Sequence, residues 1–243
     1  MDYLGGIHAV KQLLSRYPKH VKFIWVVQRS QHSNWFSSAC RQHDVPLSYV
    51  NKSDLDDLLP DIRHQGVVAE YTQLPTLGLE DLCAQSLQRS KTPCLLMLDR
   101  VQDPQNLGAC LRSAAVFGVD GVIIPKDRAV GVTPTVLKVA VGAAAMVPVV
   151  RVANLTRAMR LLKAQGFWLY GTAETADQTI TQADVDVPIV WVMGNESKGL
   201  GHQVEQHCDV MYRIDTTGFS TLNIATSAGI VLHTTFSMRG TSR

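Results

Sequence analysis

Missing from this 243-residue chain is any apolar run of the ~18 residues that a membrane-spanning helix needs; the longest, Val139–Val150, is too short. The stretch Met1–His8 lacks a basic segment followed by an apolar one, so no secretory signal is expected and the protein is predicted to be cytoplasmic. Cysteine is sparse. The five thiols, at 40, 83, 94, 110 and 208, form no Cys-x-x-Cys and stand at no zinc-finger spacing from histidine, which predicts reduced structural thiols and no metal site. Several ligand signatures are also missing. No Gly-x-Gly-x-x-Gly follows a strand, which argues against a dinucleotide site. Gly194 and Gly199 have the spacing of a phosphate loop, but Leu200-Gly201 follow where a nucleoside triphosphatase needs lysine and a hydroxyl. The segment Gly218-Phe219-Ser220-Thr221-Leu222 fails as a nucleophile elbow at its last position. No internal repeat or low-complexity tract is present.

What the chain does have is apolar material. Hydrophobic residues make up 46% and charged residues only 18%, a globular composition that excludes a disordered chain. The length allows one large domain or two small ones, and the pattern favours two. In residues 1–72, the helical spacing of Ile7, Val10, Leu13 and Leu14 precedes strand candidates at Lys22–Val27, Val45–Val50 and Gly66–Tyr71, with a helix candidate at Asn34–His43. That alternation predicts a small α/β domain. A Pro- and Gly-bearing connector follows, and residues 73–91 are read as a linker carrying one helix. From residue 92 to 243, uninterrupted apolar strands (Cys94–Leu98, Gly121–Ile124, Val147–Val152, Phe167–Gly171, Pro188–Met193, Val210–Ile214) alternate with helices expected at Leu107–Phe117, Thr135–Ala145, Leu155–Ala164 and Asn223–Phe236. Such strands predict a mainly parallel sheet covered on both faces, with ligands at the loops that leave its carboxyl edge.

Three of those loops carry chemistry. Asp99–Arg112 places Asn106 near a helix start and Arg112 off the apolar stripe of Leu107, Cys110, Leu111 and Ala114, with Gly108 expected to leave room for a ligand. An arginine there suits a phosphate or carboxylate. Met193–Gly201 holds three glycines and is suited to backbone contacts with an uncharged or cationic ligand. Ile214–Asn223 leads into the last helix, where Ser220 or Thr221 would cap it or touch ligand. Charge is unevenly spread although the net is only +2: Lys126, Arg128, Lys138, Arg151, Arg157, Arg160 and Lys163 stand against Asp127 alone. Such an excess binds polyanions or forms a solvated helix face.

At these loops the sequence resembles the SpoU/TrmH branch of the SPOUT RNA 2′-O-ribose methyltransferases. Asp103-Pro-Gln-Asn-Leu-Gly-Ala-Cys-Leu-Arg112 is similar to the first motif of that family, Met193-Gly-Asn-Glu-Ser-Lys-Gly-Leu200 to the second and Leu222-Asn223 to the third. Pro125–Arg128 resembles the subgroup, and Gly6–Val10 with His64-Gln65-Gly66 resemble its N-terminal substrate-binding domain. Asp215 and Thr216 stand where the family commonly has Pro-Met, Ala225 lacks a usual hydroxyl, and Ala145 replaces a common glutamate. The resemblance implies an L30e-like RNA-binding domain over 1–72, and a methyltransferase domain with a deep trefoil knot over 92–243. It also implies a homodimer and S-adenosylmethionine as cofactor.

The implied reaction is methylation of a ribose 2′-hydroxyl, on a guanosine in the peptidyl-transferase region of 23S rRNA. A tRNA target, or an RNA clamp without methyl transfer, are the alternatives. The implied catalytic residues are Arg112, Glu196, Asn106 and Asn223; Gly194, Ile214, Leu222, Leu200 and Thr172 would hold the cofactor. Arg112, Arg128, Arg157 and Arg160 would meet RNA. A guanidinium stays protonated, so Arg112 fits stabilisation of a developing alkoxide better than the role of base. Glu196 would orient it by a charge-assisted pair.

Overall fold

A computed structural model describes every residue except 1, 29, 61–63, 73–76, 141, 196–197, 218–220 and 242–243, and the side chains of 134, 138, 145 and 241. The chain divides into two units, Met1–Pro75 with Val141–Met146, and Thr76–Ala140 with Val147–Arg243.

In the first unit, β1 (Asp2–Gly5), β2 (Val21–Val27), β3 (Leu47–Val50) and β4 (Val67–Tyr71) form one sheet in the order β1-β4-β2-β3. Three helices accompany it: α1 (Ile7–Arg16), α2 (Ser33–His43) and α3 (Lys52–Leu58). Along β2, Ile24 and Val26 join Leu13 and Leu14 of α1 and Phe36 of α2. Trp25 and Val27 turn the other way, to Leu55 of α3 and Val68. Burial on both faces explains why Phe23–Val27 reads as a continuous apolar run instead of alternating. β1 was not expected; four residues at a sheet edge are too few for a periodic signal.

The two N-terminal motif segments meet in space. The Gln65 side chain accepts the Ile7 N–H at 3.1 Å and so satisfies one of the free donors at the start of α1. Buried His64 donates from Nε2 to Asp56 at 2.9 Å and accepts the Gly66 N–H on Nδ1 at 3.0 Å. Gln65 and Gly66 both take left-handed backbone, φ 54 and 83, which makes the tight entry into β4.

The second unit holds α4 (Leu79–Arg89), β5 (Cys94–Leu98), α5 (Pro104–Val116), β6 (Gly121–Pro125), α6 (Pro134–Ala140), β7 (Val149–Val152), α8 (Leu155–Ala164) and β8 (Trp168–Thr172). It continues with β9 (Gln178–Thr179), β10 (Ile189–Met193), α9 (His202–Glu205), β11 (Val210–Arg213) and α10 (Ile224–Thr241); α7 (Ala143–Met146) groups with the first unit. The sheet order is β7-β6-β5-β10-β8-β11-β9 and its described pairings are all parallel. Leu95, Met97, Val190 and Val192 share a core with Leu82 of α4 and Met159 and Leu162 of α8. Trp191 points the opposite way and donates to the Thr235 hydroxyl of α10 at 2.9 Å. α4 falls within residues 73–91, and its Leu79, Leu82 and Cys83 are built into that core.

Two helix boundaries differ from expectation. α5 begins at Pro104, not Leu107, because Asp103 caps it by accepting the Gln105 N–H at 2.9 Å and proline suits the first turn. The helix expected over 135–145 breaks after Ala140: Gly142 adopts φ 83, which no right-handed helix continues.

Candidate active site

Strand order runs outward from β5 through β6 to β7, then resumes on the other side at β8, with β10 inserted between β5 and β8. A crevice at such a reversal is where the carboxyl-edge loops of an open parallel sheet receive ligand. The loops after β5, β8, β10 and β11 converge on this edge.

The loop after β10 is a backbone construction. Asn195 and Gly199 exchange two hydrogen bonds, N–H to O at 3.1 Å and 2.8 Å, closing a narrow turn. Gly194 lies so close to it that a Cβ would overlap the Gly199 carbonyl and the Leu200 nitrogen. Gly199 has φ 59 and open space where a side chain would be. Leu200 is half-buried and anchors the turn by packing on the sheet core. Glu196, a predicted catalytic residue, lies outside the described residues.

Across the edge, two predicted residues come together from the starts of α5 and α10. Asn223 is the N-cap of α10: its Oδ1 accepts the Ala225 N–H at 2.8 Å and its carbonyl accepts the Ser227 N–H at 2.9 Å. With Oδ1 engaged, its Nδ2 donates to Asn106 Oδ1 at 2.9 Å. Asn223 therefore fixes which way the Asn106 amide faces. The expected capping by Ser220 or Thr221 is replaced by Asn223 itself; Ser220 lies outside the described residues.

Arg112 is exposed on α5 beyond the buried stripe, and among the described residues it makes no hydrogen bond or ion pair. Gly108 corrects an expectation. It is buried, and a Cβ there would meet Val139 of α6 at 2.6 Å, so this glycine admits a helix and not a ligand. Of the remaining expected cofactor residues, Thr172 is half-buried at the end of β8, Ile214 follows β11 directly, and Leu222 is half-buried just before α10. Residues 214–217 run on without regular secondary structure. Asp215 is exposed and accepts Arg213 Nε at 3.1 Å.

The basic segment is only partly free. Lys163 is paired with Asp209 at 2.7 Å, and Arg160 Nε reaches His207 Nε2 at 3.4 Å. Arg151 donates to the Lys126 carbonyl at 2.8 Å. Arg128 and Arg157 are exposed, at the carboxyl ends of β6 and β7. Arg157 occupies the first turn of α8, where a cation opposes the helix dipole, so its charge does not serve the helix.

The sequence reading passed over Asp99 and Arg100. Asp99 closes β5, is only 4% exposed, and accepts the Gly201 N–H at 2.9 Å and Arg100 Nε at 3.2 Å. Arg100 in turn donates to the Gly199 carbonyl at 3.2 Å. A carboxylate ending an uninterrupted apolar strand was the available signal. Burial keeps four of the thiols protonated at neutral pH, pushing Cys94 and Cys208 up to about 12 and Cys40 and Cys83 up to about 11.

The described residues thus define a two-unit α/β protein in which the backbone amides of the 194–201 turn and a pair of asparagines lie at the carboxyl edge of a parallel sheet, with Arg112 exposed further along α5. Residues 93–233 match the SpoU rRNA Methylase family, and residues 3–77 match the RNA 2′-O ribose methyltransferase substrate-binding family. The chain belongs to the SpoU rRNA methylase family. It is 39% identical over 236 residues, 96% of this chain and 94% of the relative, to the 23S rRNA (guanosine-2′-O-)-methyltransferase RlmB of Pseudomonas putida. To the protein of the same name from Pseudomonas aeruginosa it is 41% identical, covering 93% of this chain and 92% of the relative. Among solved structures it shares its fold with the SpoU methyltransferase AviRb from Streptomyces viridochromogenes, at TM-score 0.74 and 23% identity, over 99% of this chain and 90% of that one. The AviRb complex with the cofactor AdoMet aligns at TM-score 0.73 and 24% identity, over 98% and 90%.

Proposed function

We propose that this protein methylates the 2′-hydroxyl of a guanosine ribose in 23S rRNA, using S-adenosylmethionine. The observation that carries this reading is the convergence of the Asn106–Asn223 pair and the Gly194–Gly201 turn at one sheet edge, in a chain related over almost its whole length to enzymes named for that reaction. The residues present suit the cofactor. Gly199 leaves open space beside the turn, and Thr172, Ile214 and Leu222 are half-buried neutral residues at the end of β8, just after β11 and just before α10. Bound there, the cofactor supplies a methyl group already activated on sulfonium.

The chain's part is to place the hydroxyl in line and stabilise charge. Arg112 holds the flanking phosphate and the developing alkoxide. Asn106, oriented by Asn223, positions the ribose, and Glu196 orients Arg112. Gly194, Ile214 and Leu222 contact the cofactor through backbone groups, with Leu200 and Thr172 beside them. Arg128 and Arg157 contact RNA phosphates, and Arg160 adds a further contact when released from His207.

Residues 1–72 serve as the L30e-like RNA-binding domain, 73–91 as a linker whose helix α4 docks into the core of the second unit, and 92–243 as the catalytic domain. Insertion of β10 between β5 and β8, with α10 returning onto α5, supports the trefoil knot. An exposed apolar strip supports a homodimer: Val116 and Phe236 are 68% and 58% exposed around Phe117, whose ring lies 6.1 Å from that of Phe236. The cytoplasm, where ribosomal RNA is made in bacteria, is the working compartment.

The test is calorimetry with S-adenosylmethionine, followed by transfer of labelled methyl to 23S rRNA lacking the modification. Binding and transfer to one ribose are expected. No binding heat at millimolar cofactor would leave an RNA clamp, and transfer to tRNA alone would replace the substrate.

A further inference from the structure

The geometry points to Asp99 and Arg100 as a positioning pair for the methyl-donor site, a bracket that holds the turn after β10 in its receiving shape. This inference rests on the reading of that turn as the cofactor loop. The two residues grip it at three points. The Asp99 carboxylate accepts the Gly201 N–H at 2.9 Å, the Arg100 guanidinium donates to the Gly199 carbonyl at 3.2 Å, and the Arg100 carbonyl accepts Asn195 Nδ2 at 3.5 Å. The strand below continues the register, with Asp99 N–H bonded to the Met193 carbonyl at 2.8 Å. The carboxylate and guanidinium are also joined to each other, Nε to Oδ2 at 3.2 Å.

Backbone conformation separates this from ordinary loop packing. Arg100 sits at φ 59, a left-handed conformation that any Cβ disfavours and that glycine adopts freely. Glycine at 100 would relieve the backbone. The arginine persists at a strained position, and among the described residues its side chain bonds to Asp99 and the turn. Strain held by contacts to a ligand loop marks a positioning role. Gly201 completes the fit: a Cβ there would lie 3.2 Å from the Asp99 carboxylate and 3.4 Å from the Arg100 guanidinium, crowding the bracket.

Among the described residues, Asp99 and Arg100 bond to each other, to the end of β10 and to this turn, so the bracket acts on the donor side of the site. Its loss therefore raises the KM for S-adenosylmethionine and leaves kcat at saturating donor close to that of the wild type. The decisive variant is Arg100→Gly, with Arg100→Lys and Asp99→Asn beside it. Three readouts are needed: the thermal midpoint, the Kd and KM for S-adenosylmethionine, and amide exchange at Gly199 and Gly201. Arg100→Gly is expected to keep its midpoint within about 2 °C, since relief of the backbone offsets the lost ion pair. Cofactor affinity is expected to fall about tenfold, the equivalent of one charge-assisted hydrogen bond. Exchange at Gly201 should quicken, and Arg100→Lys should recover part of the affinity by keeping a donor. Arg100→Gly with wild-type affinity, or with affinity lost only in step with a lowered midpoint, overturns the bracket while leaving the methyltransferase reading intact. A wild-type protein that binds no S-adenosylmethionine overturns that reading and the bracket with it.

Discussion

Replacing Asn223 by aspartate separates two tasks that one side chain performs. Asn223 Oδ1 caps α10 through the Ala225 N–H, while Nδ2 donates to Asn106. Aspartate keeps the first and loses the second. As an N-cap it is as good as asparagine, and its charge is favoured at a helix N-terminus, so stability should stay within about 0.5 kcal/mol of wild type. Asn106 must then turn its amide over, because two acceptors cannot face each other, and any donor it offered the ribose is reversed. A polar group left mispaired at a site costs about 1–3 kcal/mol, which corresponds to a fall of about 10–100-fold in kcat/KM.

Asn223→Ala is the control. It loses cap and donor together, costing about 1–2 kcal/mol of stability and lowering the midpoint by about 2–8 °C in a chain of this size. The assay pairs thermal unfolding with initial rates of labelled methyl transfer to unmodified 23S rRNA. Asn223→Asp with near-wild-type turnover refutes the reasoning and leaves Asn223 as a cap alone.

Other outcomes follow from the same geometry. Arg112→Ala should abolish transfer with a midpoint close to wild type, since the side chain is exposed, and Arg112→Lys should fail as well if the forked guanidinium is required; turnover by either variant removes that requirement. Gly108→Ala should destabilise by about 1–3 kcal/mol, because its Cβ would meet Val139 at 2.6 Å; an unchanged midpoint in thermal unfolding would contradict that packing. Arg157→Ala should lower the salt slope of RNA binding by about 1 while cofactor affinity holds, and Arg160→Ala should lower it less because His207 engages that side chain; equal slopes for wild type and Arg157→Ala would remove the contact. Stability should decline as pH rises from about 9 towards 12. The unfolded thiols ionise from 9.0 upward, whereas burial holds native Cys94 up to about 12, so the unfolded state binds fewer protons; a flat stability profile over that window counts against it.

Much of the second unit was legible because its signal is local. Uninterrupted apolar runs such as Cys94–Leu98 and Ile189–Met193 state that both faces of a strand are covered, wherever its neighbours lie. The glycines of the 193–201 loop announced a turn with backbone as its working surface. Spacing alone put Arg112 outside the apolar stripe of α5. Where the structure departs from a local signal, a competing rule wins: Pro104 behind Asp103 starts α5 a turn early, and the left-handed backbone of Gly142 ends a helix that composition would continue.

Tertiary structure decided what depends on distant partners. Asn106 and Asn223 stand 117 residues apart, and only the insertion of β10 between β5 and β8, with the return of α10 onto α5, makes them one hydrogen-bonded pair. Gly108 looks like room for a ligand until α6 is laid across it. The basic segment looks uniformly free until Asp209 and His207 arrive from beyond β8 to engage Lys163 and Arg160. Asp99 and Arg100 read as the end of a strand, and become a bracket once the turn some 100 residues later in the chain closes over them. Hydrophobic periodicity is written within a few turns of chain, so the sequence alone determined the elements and their buried faces. A hydrogen bond across a crossover depends on which strands become neighbours, and that is settled only when the sheet assembles.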